Sequence, residues 1–148
     1  MQKMGIIESV TEPTDWVSQM VIVGKKDGSL RICLNPQPLI RAIKREHFPF
    51  PTIEEISAKL SGAKYFCKLD AQSGFWMLPL DKTSSKLCTF QTAWGRYAFK
   101  RLAFGLNCAP EIFHRVISQT FENIENVLSF QDDILLWANS KEELQSIL

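Results

Sequence analysis

The sequence predicts an α+β fold, because strand-like and helix-like segments follow one another without strict alternation. Three observations carry this reading. Two apolar runs, residues 19–23 and 30–34, are separated by Lys25-Lys26-Asp27-Gly28-Ser29. Asp-Gly is a hairpin turn signal, so they read as a hairpin with a basic tip. Thr52 stands three residues before Glu55, the spacing of a capping box, and predicts a helix to about Leu60 with Gly62 past its end. Two further apolar runs, 127–130 and 134–137, flank Gln131-Asp132-Asp133.

The other elements fall between these. Pro36, Pro38, Pro49 and Pro51 punctuate the stretch after the first hairpin. Residues 64–69 read as a strand ending on Asp70. Residues 87–91 and 96–99 form a second expected hairpin across Thr92-Ala93-Trp94-Gly95. Pro110 opens a helix to about Phe121 that gathers Ile112, Phe113, Val116 and Ile117 on one face.

Composition narrows the function classes. At 148 residues, 45% apolar and 22% charged, the chain suits one globular domain with a real core. No apolar run approaches the ~20 residues of a membrane span, and no apolar stretch follows Lys3 as in a secretory signal. The expected location is intracellular, cytoplasm or nucleus, with no membrane partner. Cys33, Cys67, Cys88 and Cys108 are spaced 34, 21 and 20 apart, and His47 and His114 stand alone. Zinc and redox motifs need close pairs, so the cysteines read as reduced small hydrophobes. The net charge of +1 hides a division along the chain: residues 21–48 and 86–115 each balance at +4, whereas residues 116–148 balance at −5. Basic segments beside a separate acidic cluster suit a phosphate polymer and its metal ions, although solvated faces also carry charge.

The acids are the sharpest local feature. Turns favour Asp, whose side chain bonds nearby backbone donors, and that accounts for one acid. It accounts poorly for Asp132 and Asp133 together, because adjacent like charges repel. Asp70 ends another apolar strand, and if that strand lies beside the hairpin, three carboxylates converge. Such a cluster suits Mg²⁺, a hard cation held by carboxylates and substrate phosphates. Two such ions ~4 Å apart can activate an attacking oxygen and stabilise a leaving one. Turn chemistry and metal-assisted phosphoryl transfer both remain open on spacing alone.

Longer motifs bear a family likeness. Leu69-Asp70-Ala71-Gln72-Ser73-Gly74-Phe75-Trp76 resembles the first catalytic-Asp motif of reverse transcriptases. Residues 104–113, Phe104-Gly105-Leu106-Asn107-Cys108-Ala109-Pro110-Glu111-Ile112-Phe113, resemble their central strand-to-helix motif. Phe130-Gln131-Asp132-Asp133 stands where that family has Tyr-X-Asp-Asp. Residues 86–92, Gly95-Arg96-Tyr97 and the hairpin ending Arg31-Ile32-Cys33-Leu34 also fit, in order, over nearly the whole chain. The phrasing is most similar to gypsy-like long-terminal-repeat retrotransposons, whose reverse transcriptase is one part of a pol polyprotein.

This resemblance implies a right-hand polymerase, with fingers at about 1–44 and 78–108 and palm at about 45–77 and 109–148. It implies RNA-directed DNA synthesis by two-metal nucleotidyl transfer from a deoxynucleotide to a primer 3′-hydroxyl. Asp70, Asp132 and Asp133 would be catalytic and hold two Mg²⁺ ions, with Mn²⁺ as a substitute and the Ala71 carbonyl as an added ligand. Phe75 falls where the family sets a ring beneath the incoming sugar, excluding a 2′-hydroxyl; core packing explains a Phe there equally well. Lys25 and Arg31 match the cations that hold the triphosphate, against the plainer reading of a solvated hairpin tip, and Phe104 helps line the nucleotide pocket. The implied partners are an RNA or DNA template with its primer, a dNTP, and the rest of a pol polyprotein. Leu148 comes just past the Asp-Asp hairpin, so thumb and ribonuclease H are expected outside these residues and the fold is expected to be truncated before the thumb. Phe130, Gln131, Asn35, Ile40 and Ala103 depart from the family pattern. They keep a second reading in play, an inactive or domesticated remnant that binds nucleic acid or protein.

Overall fold

A computed structural model describes residues 1–26 and 28–148. In chain order its elements are β1 (Ile7–Val10), β2 (Ser18–Gly24), β3 (Leu30–Asn35), α1 (Gln37–Ala42), α2 (Ile53–Leu60), β4 (Tyr65–Asp70), a short 3-10 turn (Gly74–Met77), α3 (Lys82–Leu87), β5 (Thr89–Thr92), β6 (Gly95–Phe99), α4 (Ala109–Phe121), β7 (Val127–Phe130), β8 (Asp133–Ala138) and α5 (Lys141–Ile147). The mixture of hairpins and helices is the α+β order expected from the sequence. The chain divides into two units, Met1–Arg45 with Phe75–Ala109 and Glu46–Gly74 with Pro110–Leu148. Among the described residues, no helix is long and apolar enough to cross a membrane.

The first unit is built on a five-stranded sheet in the order β1-β6-β5-β2-β3. Strands β2 and β3 form the expected antiparallel hairpin, with Val23 opposite Arg31 and Gly24 opposite Leu30. Its loop closes through the Lys25 N–H, which donates to the Ser29 carbonyl at 2.8 Å, and Gly28 supplies a φ of 80°. Asp27, half of the Asp-Gly signal, lies outside the described residues. Strands β5 and β6 turn over Ala93-Trp94, with Gly95 at φ 122°.

The strand expected from residue 87 begins later. The Asp81 carboxylate accepts from the Thr83 and Ser84 N–H groups at 2.9 and 3.0 Å and starts α3, so Leu87 closes a helix and Cys88 caps it. The first prolines also do more than punctuate, since Pro36 caps α1 and Pro38 sits in its first turn, where a missing N–H costs nothing. The core gathers Phe90, Phe99, Leu34, Leu102 and Leu106, all buried. Phe104 and Gly105 run against β3: the Leu34 N–H donates to the Phe104 carbonyl at 2.7 Å, and Gly105 has φ 102°. A Cβ on Gly105 would run into the Leu34 carbonyl.

The second unit holds an antiparallel three-stranded sheet, β4-β8-β7. Helix α2 carries the full capping box, with the Thr52 N–H donating to Glu55 Oε2 at 2.8 Å and the Glu55 N–H to Thr52 Oγ1 at 3.2 Å. Helix α4 buries Glu111, Phe113, His114 and Ile117. Ile112 and Val116, expected on the same face, are half-buried. Helix α5 starts at Ser140, whose hydroxyl accepts from the Glu143 N–H at 3.1 Å.

Gly105→Ala should destabilise the chain by about 3 kcal/mol or more in urea unfolding, because left-handed strain adds to a backbone overlap. Gly28→Ala, with φ 80° and open space around its Cβ, should cost only about 1 kcal/mol of strain. Equal losses at the two positions would contradict the close approach at Leu34.

Candidate active site

Backbone pairing in the second unit sets two of the three acids opposite one another. Strand β4 ends on Asp70, and its register with β8 sets Asp70 opposite Asp133. The Ala71 N–H donates to the Asp132 carbonyl at 2.8 Å, just beyond that pair. This bond makes Asp70 and Asp133 a non-hydrogen-bonded pair, the closer of the two antiparallel spacings, with both side chains on one face. Gln131 and Asp132 alone form the β7–β8 loop, with Phe130 opposite Asp133. Asp133 is therefore the first residue of β8 rather than part of the turn. Gln131 has φ 54°, a conformation that favours glycine.

Lys68 stands two residues before Asp70, on the same face of β4. Its Nζ lies 2.8 Å from Asp133 Oδ2. The hydrogen bond to Asp133, helped by the charges of Asp133 and then Asp70, holds the Lys68 pKa above the usual lysine value. Strand periodicity could have revealed Lys68, and the sequence reading did not use it. Among the described residues, no three His, Cys, Asp or Glu side chains stand close enough together to hold a metal ion. The expected convergence of three carboxylates is not found as a ligand cluster among the described residues: the register pairs Asp70 with Asp133 and leaves Asp132 in the adjoining loop. The donor set still suits a hard divalent cation, being carboxylate oxygens on two neighbouring strand ends. The Ala71 carbonyl accepts from the Gly74 N–H at 3.0 Å.

The nucleotide-pocket candidates lie in the first unit. The Arg31 guanidinium carbon is 4.8 Å from the centroid of the Phe104 ring, a cation–π contact. Phe75 stacks on Phe104 at 4.7 Å and 28°. Trp76, the last residue of the first motif and assigned no role there, meets Phe104 edge-on at 5.8 Å. Its indole Nε1 is buried without a hydrogen-bond partner. Arg31, Phe75 and Phe104 thus form one cluster, while Lys25 is exposed at the hairpin loop. None of the four cysteines is in a disulfide, and burial pushes the Cys88 thiol up to about 12, which makes it inert.

The Lys68–Asp133 pair has a defined pH signature. A raised folded-state pKa means that its contribution is complete below the ordinary lysine value of 10.5 and is lost as pH rises through the higher folded value. An NMR titration should find Lys68 titrating above 10.5 and shifting down in Asp133→Asn, with the charge of Asp70 still raising it. A Lys68 indifferent to that substitution would remove the pair.

The chain resembles known proteins in sequence and in fold. The model of the family described as "Reverse transcriptase (RNA-dependent DNA polymerase)" matches residues 23–148. An uncharacterized protein of Caenorhabditis elegans, K02A2.6, is 32% identical over 100% of this chain and 12% of its own length. The retrovirus-related Pol polyprotein from transposon 412 of Drosophila melanogaster is 32% identical over 97% of the chain and 12% of its own length. These names are consistent with the gypsy-like phrasing of the motifs. The chain spans only about an eighth of either relative. Among solved structures, the foamy viral protease-reverse transcriptase in complex with double-stranded DNA superposes with a TM-score of 0.88 at 22% identity, over 99% of this chain and 25% of that one. The same kind of protein in complex with an RNA/DNA hybrid gives 0.83 at 21%, over 99% and 19%. Residues 23–148 match that family along most of the chain, and the fold agrees with its solved members, so the chain belongs to the reverse transcriptase family.

Proposed function

We propose that this chain is the fingers-and-palm part of an RNA-directed DNA polymerase encoded within a retroelement polyprotein. The observation that carries the reading is the β4–β8 register, which sets Asp70 opposite Asp133 with Asp132 in the adjoining loop. Fingers at about 1–44 and 78–108 and palm at about 45–77 and 109–148 follow from the same reading. The DNA and RNA/DNA hybrid named for the solved relatives support a primed RNA or DNA template as partner. A dNTP substrate, the thumb and ribonuclease H of the polyprotein, and an intracellular site of action complete it.

In this role Asp70, Asp132 and Asp133, with the Ala71 carbonyl, would hold two Mg²⁺ ions, or Mn²⁺ in their place. When bound, such ions lower the cost of forming the attacking alkoxide and neutralise charge on the phosphates. The chain's own residues bind and orient. Lys68 neutralises Asp133 until a stronger cation competes for it. Arg31, held against Phe104, presents a fixed fork to the triphosphate, and Lys25 adds an exposed charge nearby in sequence. Phe75, braced by the same ring, sets the steric limit at the sugar. Positioning of this kind supplies much of the rate in phosphoryl transfer.

The Lys68–Asp133 pair and the absence of a three-ligand cluster among the described residues favour a second reading, a non-catalytic remnant. Primer extension separates the two. A chimera in which this segment replaces the matching part of an active full-length relative should extend a primer, and Asp132→Asn should reduce synthesis to background while the fold persists. Phe75→Val should raise ribonucleotide incorporation roughly tenfold or more, the scale on which a pocket separates substrates differing by one small group. A folded chimera that cannot extend a primer would support the remnant. Retained synthesis in Asp132→Asn would overturn the carboxylate assignment.

A further inference from the structure

His114, isolated in sequence, is buried at 2% exposure and sits at the centre of a network in the second unit. Its ring stacks on Phe50 at 4.6 Å and 18° and meets the edge of Phe48 at 5.5 Å. It also donates to the Pro49 carbonyl, and burial holds it below the usual histidine range. The ring is therefore neutral at pH 7, with one N–H and one acceptor nitrogen. Its Nδ1 lies 3.4 Å from Ser118 Oγ, which is 2.9 Å from Ser129 Oγ. With the ring proton directed at Pro49, the chain has one self-consistent direction: Ser129 donates to Ser118, Ser118 to Nδ1, and the ring to Pro49. Phe50 in turn meets Phe130 edge-on at 5.8 Å.

Ser129 and Phe130 are consecutive residues of β7, so their side chains leave opposite faces of the sheet. Both lead back to His114, one through Ser118 and the other through Phe50. They are also the last two residues before the loop that carries Asp132. We propose that His114 is a positioning residue that grips β7 from both faces and so fixes the Asp132–Asp133 hairpin. Its catalytic relevance rests on reading those acids as metal carboxylates, but the grip itself is a property of this chain. The hairpin needs such support, because β7 is an edge strand and Gln131 holds a disfavoured backbone conformation.

The test is hydrogen exchange on the 148-residue chain and its variants, read at residues 127–136. His114→Phe keeps an aromatic stack and removes both hydrogen bonds. Exchange in the hairpin should rise roughly five- to tenfold, the scale of one net hydrogen bond, with α2 unaffected. His114→Gln, which can accept from Ser118 and donate to Pro49, should restore protection to within about twofold, since it keeps both bonds. If His114→Phe fails to fold, Ser118→Ala cuts the same chain without touching the ring and must raise hairpin exchange in the same way. Unchanged hairpin exchange, or an equal rise across α2 and the hairpin, would overturn the proposal. Loss of primer extension in the chimera with a normal exchange pattern would instead count against the polymerase reading alone.

Discussion

Strand β4 meets β8 in an antiparallel register that brings Asp70 opposite Asp133, and the chemistry of the second unit depends on that alignment. Side chains alternate with period two, so a slip of one residue would carry Asp70 and Lys68 to the opposite face. The register is held from several directions. Leu136 and Ala138 are buried on the face away from Asp133, and their partners on β4 are Cys67 and Tyr65. The Ala71 N–H bond to the Asp132 carbonyl closes the end of the ladder, and the two-residue loop ties β7 to β8. A shift would set Lys68 and Asp70 on the face where Leu136 and Ala138 are buried, beside apolar side chains rather than beside Asp133.

The same alignment creates an electrostatic problem. Acids at adjacent strand ends repel, and a fold that gathers them needs a nearby cation. Lys68 supplies one from within the sheet. Its side chain is exposed, so the pair is screened and adds little to stability. What it supplies is a counter-charge at Asp133. In the first unit, backbone geometry places an aromatic ring. Gly105 lets the Leu34 carbonyl pass close by, the Leu34 N–H fixes the Phe104 carbonyl, and the Phe104 ring is left between its contacts with Arg31 and Phe75.

Much of this was legible in the sequence where local rules decide. Thr52 and Glu55 announced their capping box, Gly95 its turn, and Asp70 the end of its strand. Helix α3 escaped notice because its residues, Lys-Thr-Ser-Ser-Lys-Leu, have no apolar period, although Asp81 is an ordinary cap. Strand β1 is short and exists through its pairing with β6, which no local pattern records. Among the site candidates, the three acids stood out from spacing, whereas Arg31, Phe75 and Phe104 were nameable only through the family resemblance. The contacts among them were not, because a register or a ring stack joins residues distant in sequence. His114 shows this most sharply, since Phe50, which stacks on it, lies far upstream, and Ser129, reached through Ser118 of the same helix, lies on β7.

The central claim is that Asp70, Asp132 and Asp133 together receive a divalent cation, with Lys68 yielding its place. Paramagnetic relaxation by Mn²⁺ measures this directly on backbone amide NMR signals. The account predicts broadening centred on residues 70–71 and 131–134, weakened by Asp70→Asn and strengthened by Lys68→Met. Broadening centred elsewhere, or insensitive to both substitutions, would contradict it.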